Sequence, residues 1–311
     1  MKQLKKAIEW RINYYHQQSL KLFWDLKRLF DFSKKEKVNA ISVIVVGRND
    51  NYGGDFSERL RTTLDWNLSI LPNPELIYVE WNQVPDRPSD CDWISTRYPN
   101  SKCYIVPKEI HDTITQNPKM PVMEYFGKNV GIRRATNNWV LLLNADIYID
   151  PKDFVNLNLS KRHIYGTYFG NVEWDGKEIT REKYKKTIKS ISHPTKTLTS
   201  LVGNFILTHK NNWLLATGYD EYLTNSRLGV DNDGLYQLES FGLKPMILGT
   251  HYHLDHPESA NKGNNPTHGD SNILENRTFP YKNHSNWGLI DYPLEKIAQS
   301  IWKIVAVSNK K

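Results

Sequence analysis

A chain of 311 residues with 39% hydrophobic and 12% aromatic residues can bury a large core, which excludes a disordered or collagen-like polymer. Two cysteines exclude a disulfide-stapled mini-fold, and no apolar run reaches the ~18 residues that would span a bilayer. The net charge of +7 is unevenly placed: residues 1–37 hold ten Lys/Arg against four Asp/Glu, while the rest hold 31 against 30, so the body lacks the basic surplus that nucleic-acid phosphates demand.

Within the basic leader, Leu4, Ile8, Ile12, Tyr15, Leu22, Leu26 and Leu29 recur at helical spacing, which predicts an amphipathic helical arm over 1–37. Trp10, Phe23, Trp24 and Phe30 make the arm aromatic-rich. Such a helix suits an anionic membrane surface, its own domain or a second copy of the chain in a homo-oligomer. No signal-peptide hydrophobic region is present, so the expected location is cytoplasmic, peripheral on the inner face of a membrane. The Asn-x-Ser/Thr triplets at Asn67, Asn158, Asn276 and Asn283 are then expected to stay unmodified, and Cys91 and Cys103 to be reduced thiols.

Residues 38–311 read as one α/β domain with an irregular C-terminal extension. Ile41 to Val46 is a continuous β-branched run, as in a strand buried on both faces, and it ends in the polar, glycine-containing loop 47–55. A helix is predicted over Phe56–Asn67, strands over Leu76–Trp81 and CYIVP, and a helix over Val122–Thr136. WVLLLNADIYI is the most apolar strand. The stretch Asn156–Ser200 reads as mixed strand and loop, GNFILTH as a strand, NNWLLATG as a short helix, DNDGLYQLESFG as a helix closing at Gly242, and Leu294–Val305 as a last helix.

In open α/β sheets ligands bind beyond the carboxyl ends of the strands, so polar residues there are candidates for chemistry. The first strand delivers Gly47, Arg48, Asn49 and Asp50, the second Glu80 and Asn82, and the apolar one Asn144 and Asp146. Loop 47–55 is equally good turn chemistry. A carboxylate inside LLLNADIYI needs a partner, for which a divalent cation, a helix N-terminus or a lysine would serve. Further ligands for a cation are supplied by His251, His253, Asp255 and His256.

As a pattern over roughly residues 40–256, the chain resembles the GT-A glycosyltransferases, particularly the family-2 nucleotide-sugar transferases. ISVIVVGRND resembles their first strand and nucleotide loop, EWN their second-strand acid that holds base or ribose, and GKNVGIRRATNNWVLLLNADIYI the helix and strand leading to an Asp-x-Asp metal motif. Lys128 stands where Arg is common and Asn144 where the first Asp is common. GNFILTHKNNWLLATGYDEYL resembles the acceptor side, and VDNDGL falls where the catalytic acid belongs.

The resemblance implies a GT-A (Rossmann-like, mainly parallel) sheet flanked by helices. It also implies a nucleotide-diphosphate sugar donor, a glycan or glycolipid acceptor, and Mn²⁺ or Mg²⁺ held by Asp146 with His253, His251 or His256. Lys128, Asn129, Arg133 and Asn144 would belong to the donor site, and Asp231 would be the general base of an inverting displacement. Residue chemistry does not separate Asp231 from Asp233, which could instead cap the helix entering at Gly234. Trp287 would stack on a sugar or fill the core.

A competing motif is THYHLDH, which matches the His-x-His-x-Asp-His zinc signature of metallo-β-lactamase-like hydrolases through His251, His253, Asp255 and His256. A third expectation is a nucleotide-sugar-binding module without turnover.

Overall fold

The computed structural model describes residues 2–172, 174, 188–192, 204–226, 229–256 and 277–306. The arm is one helix, α1 (Lys2–Leu29), with Lys27 and Arg28 in its last turn, where cations complement the carbonyl end of the helix dipole. It docks through the buried Leu20 and Trp24, and Lys27 lies 4.8 Å above the Trp24 ring. Strand β1 (Glu36–Lys37) then pairs with β7 (Asn158–Leu159).

The body begins as alternating strands and helices: β2 (Ile41–Gly47), α2 (Phe56–Ile70), β3 (Pro74–Trp81), α3 (Asp90–Arg97), β4 (Lys102–Val106), α4 (Lys108–Ile114), α5 (Glu124–Arg134) and β5 (Trp139–Leu143). These strands are parallel in the order β4-β3-β2-β5. The sheet continues from β5 through β10 (Phe205–His209), β8 (His163–Val172) and β11 (Lys244–Leu254) to β6 (Ile147–Ile149); among the described residues only the β8–β11 pairing in this half is parallel. β9 (Ile188–Ser192) adds to β8.

Alternation along β2 explains why its sequence is unbroken hydrophobic. Val43 and Val45 pack on one face with Phe56, Leu60 and Leu64 of α2, while Ile44 and Val46 pack on the other with Phe126 and Val130 of α5. The second face also holds α6 (Lys210–Ala216) and α7 (Val230–Ser240) through Trp213 and Leu235. Helix α5 approaches β2 closely because it has glycines one turn apart: a Cβ at Gly131 would fall 2.4 Å from Ile44 Cγ2, and one at Gly127 2.7 Å from Val46 Cγ1. Gly131→Ala is therefore expected to cost about 1–3 kcal/mol in urea denaturation, despite alanine's better helix propensity, because overpacking forces strand and helix apart.

Three sequence expectations are corrected. WVLLLNADIYI is two strands, not one: β5 sits inside the sheet, the chain turns at Asn144–Asp146, and β6 rejoins at the far edge against β11. THYHLDH lies largely within β11, where no strand was expected. Leu294–Val305 is a hairpin of β12 (Leu294–Ala298) and β13 (Ile301–Ile304), not a helix; Leu294, Ile297, Ile301 and Ile304 have helical spacing, but pairing of β13 alongside β4 buries Ile301 and Ile304 instead. Both cysteines are free and buried. Asn67 and Asn283 are buried and hydrogen-bonded, which closes them to modification, and Asn276 lies outside the described residues.

Candidate functional site

The ends of β2 and β5 lie side by side because the strands are parallel neighbours, and this opens a cleft of about 270 Å³. Its wall includes Gly47 at the end of β2, Arg48, Asp50 and Tyr52 from the loop after it, Asn144 and Asp146 from the turn after β5, and Glu124 from the first turn of α5. His253 and His256 complete it.

Strand register brings the histidines to Asp146. His253 is opposite Ile147 in the β11–β6 pair, and the Leu254 N–H donates to the Asp146 backbone carbonyl at 2.9 Å. His253 Nε2 is 3.4 Å and His256 Nε2 3.2 Å from Asp146 Oδ2. Burial opposes ionisation of Asp146, yet hydrogen bonds from the two imidazoles outweigh it and hold the carboxyl well below the usual carboxylate range. The His256 ring sits edge-on to Tyr52, with centroids 5.1 Å apart. Gly53 lets the loop close over it: its φ is 71°, and a Cβ there would fall 2.7 Å from His256 Nδ1.

Asp146, His253 and His256 are the one group of three or more such ligands among the described residues, with ligand atoms within 4.8 Å of one another. The metal ligand expected at His251 is corrected. Its side chain lies deeper, with Nδ1 2.5 Å from Thr167 Oγ1 and its ring stacked on Phe205, and burial lowers its pKa to about 3. Asp255 also stays outside the group, so the four-residue zinc signature does not assemble.

Asn144 is committed to the protein. Its Oδ1 accepts from Lys128 Nζ at 3.0 Å, and its Nδ2 donates to Asn204 Oδ1 at 3.1 Å. Lys128, fully buried, is paired with Glu124 at 2.7 Å, so a carboxylate on the cleft wall balances the ammonium beneath it. Arg48 borders the cleft, its Nε donating to the Asn82 carbonyl at 2.6 Å and its Nη1 meeting Asp50 at 2.8 Å.

Several residues expected to touch the donor instead build the scaffold. Asn49 is buried: its Nδ2 donates to the carbonyls of Val84 and Arg87, and its Oδ1 accepts from the Val84 N–H at 2.7 Å, tying down the loop after β3. Asn82 donates to the Pro121 carbonyl. Glu80 is buried, accepting from Ser89 Oγ, the Asp90 N–H and Gln83, and burial raises its pKa. Asn129 bonds both backbone groups of Tyr219 as well as Glu221, and Arg133 lies 4.8 Å over the Trp287 ring; neither borders the cleft. Trp287 fills the core.

On α7, Asp233 is buried and paired with Arg277 at 3.0 Å, and burial pushes its pKa up to about 6. It sits inside the helix, whose N-cap is Gly229, so it is not a cap. Asp231 is half-buried in the first turn. It does not border the cleft.

Glu221 closes the Gly-aromatic-Asp-Glu turn of GNFILTHKNNWLLATGYDEYL, a stretch the resemblance marks without giving this acid a role. It accepts from Asn129 Nδ2 at 2.9 Å and the Gly288 N–H at 2.8 Å, yet burial raises its pKa to about 7. Its burial is not legible locally, because the Gly288 N–H that it accepts belongs to a segment distant along the chain. Between the ordinary carboxyl range and pH 7 the folded form binds the proton more tightly than the unfolded, so this group's stabilisation is present at low pH and lost as pH rises through about 7. Urea midpoints are expected to fall between pH 5 and pH 8, and Glu221→Gln, which keeps the acceptor oxygen, to flatten the fall.

No family model and no curated protein matches the sequence. Among solved structures, the chain is similar to GalNAc-T7 with UDP, GalNAc and Mn²⁺, at 12% identity and TM-score 0.46 over 73% of this chain and 46% of that one. It is also similar to the mannosyltransferase PcManGT from Pyrobaculum calidifontis in complex with GDP-Man and Mn²⁺, at 13% identity and TM-score 0.44 over 79% and 68%. A third is the catalytic domain of Drosophila β1,4-galactosyltransferase 7 with xylobiose, at 11% identity and TM-score 0.42 over 88% and 97%. The match thus spans about half the length of the first of these.

Proposed function

We propose that the chain is a GT-A-type glycosyltransferase that moves a sugar from a nucleoside-diphosphate donor to a hydroxyl of a glycan or glycolipid. The observation that carries this reading is the meeting of Asp146, His253 and His256 with the loop after β2 in one cleft beyond the strand ends. Two imidazole nitrogens and an ionised carboxylate within mutual reach suit a divalent cation, Mn²⁺ or Mg²⁺. Bound there, the cation supplies neutralisation of the charge that gathers on the leaving diphosphate.

The chain's own residues do the rest. Arg48 stands on the cleft wall in an ion pair with Asp50, a guanidinium within reach of a donor diphosphate, and buried Lys128 holds Asn144 in place. The acceptor hydroxyl must lose its proton as it attacks, and Asp231, in the first turn of α7, is the base in this reading, which makes the displacement inverting. Asp233 is occupied by Arg277 and is left out.

The test is a thermal-shift series of UDP and GDP with and without Mn²⁺. One nucleotide is expected to stabilise the chain only with the metal, by about 2.7 kcal/mol once it exceeds its Kd a hundredfold. Stabilisation by neither nucleotide, or equal stabilisation without metal, would defeat the reading.

A further inference from the structure

Helix α1 has two apolar faces, and the body covers one. Leu20 and Trp24 are buried against it. Roughly opposite them, at 100° per residue, run Ile8, Ile12, Tyr15, Leu22, Leu26 and Leu29, all exposed; Tyr15 is 70% and Leu29 71% accessible. At 1.5 Å per residue this stripe is about 30 Å long. The chain beyond it continues the pattern: Phe30 is 65% and Phe32 90% accessible.

Beside Phe30 and Phe32 the arm and the body enclose two adjoining clefts of about 450 and 700 Å³, which share Phe32, Ser33, Lys161 and Arg162. Lys34, Lys35 and Lys244 also border them. Asp31 pairs with Lys35 and Glu36 with Lys161, which leaves Lys34, Arg162 and Lys244 with no carboxylate partner among the described residues. Aromatic side chains stand in water next to uncompensated cations, at the end of an uncovered apolar stripe.

We propose that this face binds the surface of an anionic bilayer. Leu22, Leu26, Leu29, Phe30 and Phe32 would enter the headgroup boundary, and the cations of the clefts would meet lipid phosphates. Charge decides against a second copy as the occupant. The four-three spacing of the stripe would suit a coiled coil, but α1 carries seven Lys/Arg against two Asp/Glu, so pairing two copies sets like charge against like. No described helix is long and apolar enough to cross a membrane, so contact of this kind lies along the surface. The proposal does not depend on the transferase reading.

The test is co-sedimentation of the full chain with vesicles of phosphatidylcholine alone or with added phosphatidylglycerol, alongside sedimentation velocity without lipid. The expected result is a monomer that binds the anionic vesicles at least about tenfold tighter than the neutral ones, with affinity falling as salt rises. Lys34→Gln and Arg162→Gln should each weaken binding about fivefold, and Leu29→Gln with Phe32→Ser about tenfold or more. These side chains are exposed, and unchanged melting temperatures check that the variants fold. Binding indifferent to lipid charge, absence of binding, or a dimer that Leu26→Gln dissociates would each overturn the proposal.

Discussion

Asp146→Ala is expected to abolish the Mn²⁺-dependent part of nucleotide binding and to lower sugar transfer by at least about 10³-fold. The carboxylate is the one anion of the ligand group, and two imidazoles without it form a weak and mispositioned site. The fold should survive, because Leu254 bonds the backbone carbonyl of residue 146 and β6 pairs through its own main chain. Removal of the side chain thus separates chemistry from folding, which His253→Ala, in a strand, does less cleanly. Calorimetric titration of UDP and GDP with and without Mn²⁺, beside transfer rates, checks the expectation. Metal dependence that persists in the variant would place the cation elsewhere.

Asp231→Asn should lower kcat by about 10²–10⁴-fold and leave donor affinity within about twofold of the original. A general base acts on the acceptor proton alone, so its loss leaves the donor's contacts untouched. Glu124→Gln is the necessary companion, since Glu124 is a carboxylate on the cleft wall itself. That change leaves the buried Lys128 ammonium without its anion, so it should cost about 1–3 kcal/mol of stability and loosen Asn144. If Asp231→Asn keeps its rate while folded Glu124→Gln loses it, the base is Glu124 rather than Asp231.

The parallel half of the sheet was legible because β-branched runs and helical periods are local signals, and β2 carries apolar residues on both faces. Helix α3 carries its start signal in the local sequence: Ser89 accepts from the Cys91 N–H, with Asp90 and Asp92 in the first turn. The break in WVLLLNADIYI was not legible. Its two halves are similarly apolar, and only the partner strand, β11, assigns the second half to the far edge. The same distance effect governs the site. Asp146 stood out as an acid in an apolar run, but the choice of His253 and His256 over His251 depends on strand register and on how far each ring lies from the strand's end. Asn49, Glu80 and Asn129 were the right chemical types for a donor site, yet burial turns them into struts.

The turn at Asn144–Asp146 joins two unlike parts of the sheet. β5 is hemmed in by strands on both sides, whereas β6 is three residues long and, among the described residues, paired only with β11. A ligand gripping Asp146 and the β11 histidines would act as a rivet between a stiff plate and its thin rim. Such a joint comes undone from the rim, so the outer ribbon rather than the central plate would govern how long a bound ion stays.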